Sequence, residues 1–174
     1  REEQNLAEKT ALCEQLEAIK IEDLKTFADW DATTQQIIAM QAQWKTIGYA
    51  PQKTNATIFE RFRLACDSFF VQKAKFYQEQ KDSQNENLAK KQALIDQLKA
   101  LDITKMKSNK QWDDATEKVQ AIQQEWRTIG FAPKKQNQAI YNEYRDLCEA
   151  FFKAKTNYYK GMRDEFSENL KKKR

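Results

Sequence analysis

The chain is expected to be all-α, and three observations carry that expectation. Only three glycines and two prolines interrupt 174 residues rich in lysine, glutamine, glutamate and alanine, a balance that favours helix almost everywhere. Apolar side chains recur at helical spacing instead of alternating. The pattern then repeats, with "WKTIGYAP" beginning at Trp44 and "WRTIGFAP" at Trp126, 82 positions later. Sliding the sequence by that offset aligns it without a gap from Asn5 on Asn87 to Asp82 on Asp164, and 32 of those 78 positions are identical. Shared helical composition alone would give far fewer, so duplication is the economical explanation. The expected architecture is two tandem antiparallel three-helix bundles, residues 1–82 and 83–164, with residues 165–174 opening a third copy because Glu168-Asn169-Leu170 repeats Glu86-Asn87-Leu88. Beginning at Arg1 and stopping part-way through that copy, the chain reads as a piece of a longer array.

The first helix of a unit falls at about residues 4 to 20, with Leu6, Leu12, Cys13, Leu16 and Ile19 on one side, as Leu88, Leu94, Ile95, Leu98 and Leu101 are later. The second runs from about 29 to 47 and carries Trp30, Ile37, Met40, Trp44 and Ile47, matched by Trp112, Val119, Ile122, Trp126 and Ile129. Asp29 and Ser108 suit the N-cap, where a short oxygen-bearing side chain accepts from a free first-turn N–H. The Trp-to-Pro segment then stops the helix. Gly48 can take the left-handed position after the last turn, and Pro51 keeps the helix from resuming at once. Trp44 is in phase with the apolar side and is expected in the core.

The third helix opens near Thr54 or Asn55. With neither glycine nor proline from Thr54 to Leu101, it can run unbroken into the first helix of the next unit. The polar run from Gln78 to Asn87 reads as a solvated helical connector, with a kink or break there as the alternative. Gly161 stands where the first copy has Glu79 and marks a weaker point. At about 100° per residue this helix carries two lines. One is apolar: Ile58, Phe62, Ala65, Phe69 and Phe76, or Ile140, Tyr144, Leu147, Phe151 and Tyr158. The other mixes rings with cations: Phe59, Arg63, Cys66, Phe70, Lys73 and Tyr77, or Tyr141, Arg145, Cys148, Phe152, Lys155 and Tyr159. Two readings of the mixed line stand. It is either the seam of a helix packed against two others, its arginines paired with Asp67 and Glu149 four residues on, or a partly exposed surface offering rings and cations to a partner.

The composition excludes much chemistry. There is no histidine, so the commonest general base and metal ligand are missing. Glycine-rich phosphate loops, nucleophile elbows and Cys/His clusters do not occur, and the acidic residues fall on polar helix faces. No enzyme activity, metal, cofactor or small-molecule substrate is expected. The three cysteines show no C-x-x-C spacing and read as buried small hydrophobes in a reducing cytoplasm. No apolar run is long enough to span a membrane. Residues 1–82 hold 11 basic and 13 acidic side chains and residues 83–164 hold 15 and 11, so the copies differ in sign and polyanion binding by every unit is weakly supported. The terminal Lys171 to Arg174 run reads as a solvated face.

The W-x-x-I-G-[YF]-A-P segment is followed at fixed spacing by Ile58-Phe59 or Ile140-Tyr141, Phe62-Arg63 or Tyr144-Arg145, and Phe69-Phe70 or Phe151-Phe152. In that combination both copies resemble the bacterial domain-of-unknown-function family 349. The resemblance implies a short all-helical module occurring singly or in tandem, and it brings no activity, cofactor or catalytic set. A similarity to three-helix DNA-binding modules is weaker, because the connection after Gly48 is longer than a helix-turn-helix turn and the third helix is apolar on two lines.

The expected function is that of a non-catalytic spacer and protein-docking scaffold within an array. Its candidate partner-binding residues are Phe59, Arg63, Phe70, Lys73 and Tyr77, with Tyr141, Arg145, Phe152, Lys155 and Tyr159 in the second copy. The alternative is a module that binds RNA or DNA through the same positions.

Overall fold

The computed structural model describes the backbone of residues 1–173 and the side chains of residues 1–171. Of the terminal basic run, only Lys171 is described in full; the rest lies outside the described residues. Among the described residues there are five α-helices, two short 3₁₀ turns and no strand. The helices are α1 (Glu2–Glu17), α2 (Phe27–Thr46), α3 (Gln52–Ala100), α4 (Asn109–Thr128) and α5 (Lys134–Lys173). Two compact units are present, Arg1–Glu79 and the part from Gln80 onward.

In the first unit, α1 opens with Glu2 and Glu3, whose charges suit the positive end of a helix. It buries Lys9, Leu12, Cys13 and Leu16, one helical face. It is shorter than expected, ending at Glu17, and Ile19 lies in the turn before the 3₁₀ segment Ile21–Asp23. The second helix begins at Phe27, and its N-cap is Thr26, not Asp29. Thr26 has extended backbone and accepts the Asp29 N–H at 3.1 Å, while the Asp29 carboxylate accepts the N–H groups of Lys25 and Thr26 at 3.0 and 3.2 Å. Asp29 is therefore the returning arm of a capping box. Ser108, three residues before Gln111, does cap α4 in the same way.

The expected left-handed Gly48 is also corrected, since among the described residues no glycine has positive φ. The second helix ends at Thr46, and Ile47 turns the chain into extended conformation (φ −89°, ψ 133°). The glycine is needed for room. Asn5 Nδ2 of α1 donates to the Tyr49 carbonyl at 2.9 Å, and a Cβ on Gly48 would lie 2.8 Å from that nitrogen. Gly130 and Asn87 repeat the arrangement at 3.0 Å, with Asn87 donating to Phe131 O at 2.9 Å. The third helix resumes immediately after Pro51, whose carbonyl accepts the N–H groups of Thr54 and Asn55.

Ring contacts give the directions. Trp30, early in α2, meets Phe69 and Phe76 far along α3, at 5.4 and 5.5 Å between centroids. Trp44, at the other end of α2, stacks on Phe62 at 4.2 Å. These two helices are antiparallel. The first helix runs alongside α3 in its direction, with the Cys13 thiol on the Ile58 carbonyl at 3.8 Å and Glu17 paired to Arg61 at 2.6 Å. Leu12, Leu16, Trp30, Ile37, Ile58, Phe62 and Phe69 fill the space between.

The second unit repeats this core with Leu94, Ile95 and Leu98 from the later part of α3, Trp112, Val119, Ile122 and Trp126 from α4, and Ile140, Cys148 and Phe151 from α5. Helix α3 runs without interruption from Gln52 to Ala100, and residues 78–87 are helical with none buried, as befits a wholly polar stretch. Gly161 lies within α5, and a Cβ there would meet nothing within 4 Å.

Candidate functional site

The apolar line of the third helix supplies the core, with Ile58, Phe62 and Phe69 buried. The mixed line emerges at the surface at intervals. Phe59 is 50% exposed and Tyr141 44%, and the side chains of Arg63 and Arg145 keep nearly half their surface. Cys66 and Cys148 between them are buried, and burial pushes both thiols above their usual range. Phe70 and Phe152 are half-buried, each edge-on to its neighbour at 5.2 and 5.1 Å.

Both arginines are engaged by carboxylates. Arg63 pairs with Glu60 and, at 2.8 Å, with Asp67. Arg145 pairs with Asp146 at 3.2 Å and with Glu149 at 4.0 Å. Lys73 lies over the Tyr77 ring, 5.6 Å from its centroid. Tyr77 and Tyr159 are tied down, donating to Asp31 at 2.7 Å and Asp113 at 3.4 Å. The Asp31 hydrogen bond holds the Tyr77 phenol above its usual pKa. These two rings brace the far end of the third helix against the start of the second, a role that an unpartnered surface reading does not include.

In the second unit the mixed line borders two shallow depressions. One, of about 570 Å³, lies between α4 and α5 and is lined by Trp126, Arg127, Tyr141, Tyr144, Arg145 and Phe152. The other, of about 620 Å³, continues along α5 past Phe152, Lys155 and Tyr159. The first copy has Trp44, Lys45, Phe59, Phe62, Arg63 and Phe70 at the positions lining the first depression, the same chemical type at every one.

Three features were not singled out from sequence. Lys9 and Lys91, 6% exposed, each set their ammonium 5.1 Å from the centroid of a core tryptophan, Trp44 or Trp126. Burial lowers the Lys91 pKa. Tyr49 and Phe131, inside the repeated Trp-to-Pro segment, are 79% and 76% exposed. The retained lysine and the retained aromatic were the available signals. The indole N–H groups of Trp30 and Trp112 are buried without a hydrogen-bond partner among the described residues.

The sequence profile of the Domain of Unknown Function (DUF349) matches residues 1–53 and 57–135. The chain belongs to the DUF349 family. The two matched segments meet at the first turn of α3, so the DUF349 boundary falls inside the first compact unit and not at the polar stretch of α3. No curated protein and no solved structure matches the chain. Among the described residues no helix is long and apolar enough to cross a membrane.

Proposed function

We propose that this DUF349 chain is a non-catalytic docking scaffold whose mixed line receives an amphipathic helix with an acidic flank from a partner protein. The observation that carries the reading is that the residues lining the depression between the second and third helices of the second unit recur, type for type, at the equivalent positions of the first copy. Several outward positions on the second helix diverge: Gln36 faces Lys118 in the alignment, Ile38 faces Gln120 and Ala42 faces Gln124. Half-exposed Phe59 and Tyr141 offer an apolar ridge, the kind of anchor that an amphipathic helix covers. Per unit, three cations (Lys45, Arg63 and Lys73, or Arg127, Arg145 and Lys155) face two carboxylates in ion pairs with the arginine, which leaves room for an acidic flank. Three free, buried thiols fit a reducing cytoplasm. In an array, each unit adds an equivalent patch, so avidity grows with repeat number.

The test is a titration of a synthetic acidic amphipathic helix into the isotope-labelled chain, read by amide chemical shifts. Shifts gathered on Phe59, Arg63, Phe70 and their second-copy counterparts are expected. Replacing Arg63, Lys73, Arg145 and Lys155 together by alanine should abolish them with melting unchanged. Shifts elsewhere, or binding that survives the four substitutions, would sink the reading.

A further inference from the structure

A second surface, the loop that joins those two helices, goes beyond that reading. Tyr49 and Phe131 are the most exposed large hydrophobics among the described residues, yet the segment that carries each is firmly held. In the first copy Asn5 holds the Tyr49 carbonyl, the Asn55 side chain accepts the Ala50 N–H at 3.0 Å, and Ala50 itself is 1% exposed. In the second, Asn87 holds Phe131, Asn137 accepts the Ala132 N–H at 3.1 Å, and Ala132 is 2% exposed. Two asparagines, a glycine and a buried alanine per copy thus keep an aromatic ring in water. A ring left mostly in water, presented on an ordered loop twice over, is a candidate contact surface.

The charge around it names the partner. No acidic residue occurs between Asp31 and Glu60 in the first copy or between Glu125 and Glu143 in the second, although the whole chain has 26 acids to 30 bases. The cations within those windows are Lys45 and Lys53, and Arg127, Lys134 and Lys135, all exposed and none in a salt bridge among the described residues. By contrast Arg61, Arg63, Lys99 and Arg145 are paired to carboxylates. In the second unit the ring borders an open depression of about 480 Å³ lined also by Gln84, Lys134 and Gln138. The exposed face of the ring suits a flat base. Tyrosine in one copy and phenylalanine in the other keep the π face and dispense with the hydroxyl.

We infer that the loop between the second and third helices of each unit binds single-stranded nucleic acid, a base stacking on Tyr49 or Phe131 and phosphates meeting Lys53 or Lys135. Ring stacking combined with uncompensated cations is the pattern of sequence-tolerant single-strand binding.

Fluorescence anisotropy of the full chain with labelled oligouridylate, at a low and a high salt concentration, tests this. Binding is expected at low salt and should weaken steeply as salt rises. Tyr49→Leu with Phe131→Leu keeps the apolar character but loses the stack, and should weaken binding at least about five-fold, the fold-change equivalent to roughly 1 kcal/mol. Tyr49→Trp with Phe131→Trp should retain it. Both pairs alter only exposed rings, so melting temperature should not move. Lys53→Ala with Lys135→Ala should weaken binding and flatten the salt dependence. No binding at low salt, leucine variants that bind like the parent, or polyglutamate binding as tightly with the same ring dependence would each overturn the inference. The last would mean an acidic polypeptide is the partner. The amphipathic-helix titration reads different residues, so either proposal can fail alone.

Discussion

Asn5 and Gly48 are best understood as a pair separated by about half of a unit. The asparagine reaches the Tyr49 carbonyl across the spot that a side chain at position 48 would occupy. Asn5→Ala is expected to cost about 1 kcal/mol, the usual worth of one such hydrogen bond. Gly48→Ala should cost a similar amount in the parent and almost nothing in the Asn5→Ala background, because the hydrogen bond it displaces is already gone. Urea unfolding of the four chains measures that coupling, and additive costs would contradict the close approach. The glycine was visible in the sequence as a repeated letter, but its reason was not, since the residue it makes room for comes from another helix. Tyr144 has its own signature. Burial pushes its phenol up to about 12, against about 10 for a free tyrosine. A folded-state value above the unfolded one favours the protonated ring in the fold, so this stabilisation is whole below about pH 10 and is lost as pH rises towards about 12. Tyr144→Phe, the residue type of Phe62 in the first copy, should flatten the alkaline limb of stability in urea melts across that range. An unchanged limb would assign the loss to other groups.

The helices were legible in number and order, while their ends needed capping geometry. The 82-residue offset places Thr26 opposite Ser108, so the repeat itself carried the correct cap of α2, whereas Asp29 drew attention as a better isolated N-cap type. Thr26→Ala should cost about 0.5–2 kcal/mol in equilibrium unfolding; a smaller loss than Asp29→Ala would show that the carboxylate arm carries the motif. Between the first and third helices the two copies use opposite polarity. Glu17 meets Arg61 in one at 2.6 Å, and Lys99 meets Glu143 in the other at 2.5 Å. Such exposed pairs add little stability, but they discriminate between matched and mismatched helices. Glu17→Lys should lower the melting temperature by setting like charges together, and adding Arg61→Glu should restore it by rebuilding the second copy's polarity. Failure of the second substitution to rescue the first would mean that the pair is incidental.

Across the molecule, α3 contributes to both cores, and its residues 78–87 bury nothing. Ser83→Pro, at a cost of about 3 kcal/mol to the helix locally, should reduce helicity around that position while tryptophan fluorescence still reports two intact cores. Cooperative loss of either core would show that the connector helix is required for folding. Helical phase, the duplication and the identity of the buried residues were available from the amino-acid order alone, because local spacing sets which side chains share a helix face. Which rings stay in water was decided by packing. Phe59 and Phe70 share the mixed line of one helix, yet Phe59 is 50% exposed and Phe70 is only partly exposed, edge-on to Phe69. Tyr49 stays in water on a backbone that Asn5, from another helix, holds at its carbonyl and Asn55 holds at the following N–H. Exposure depends on what other segments bring to a position, and periodicity within one segment contains no record of that.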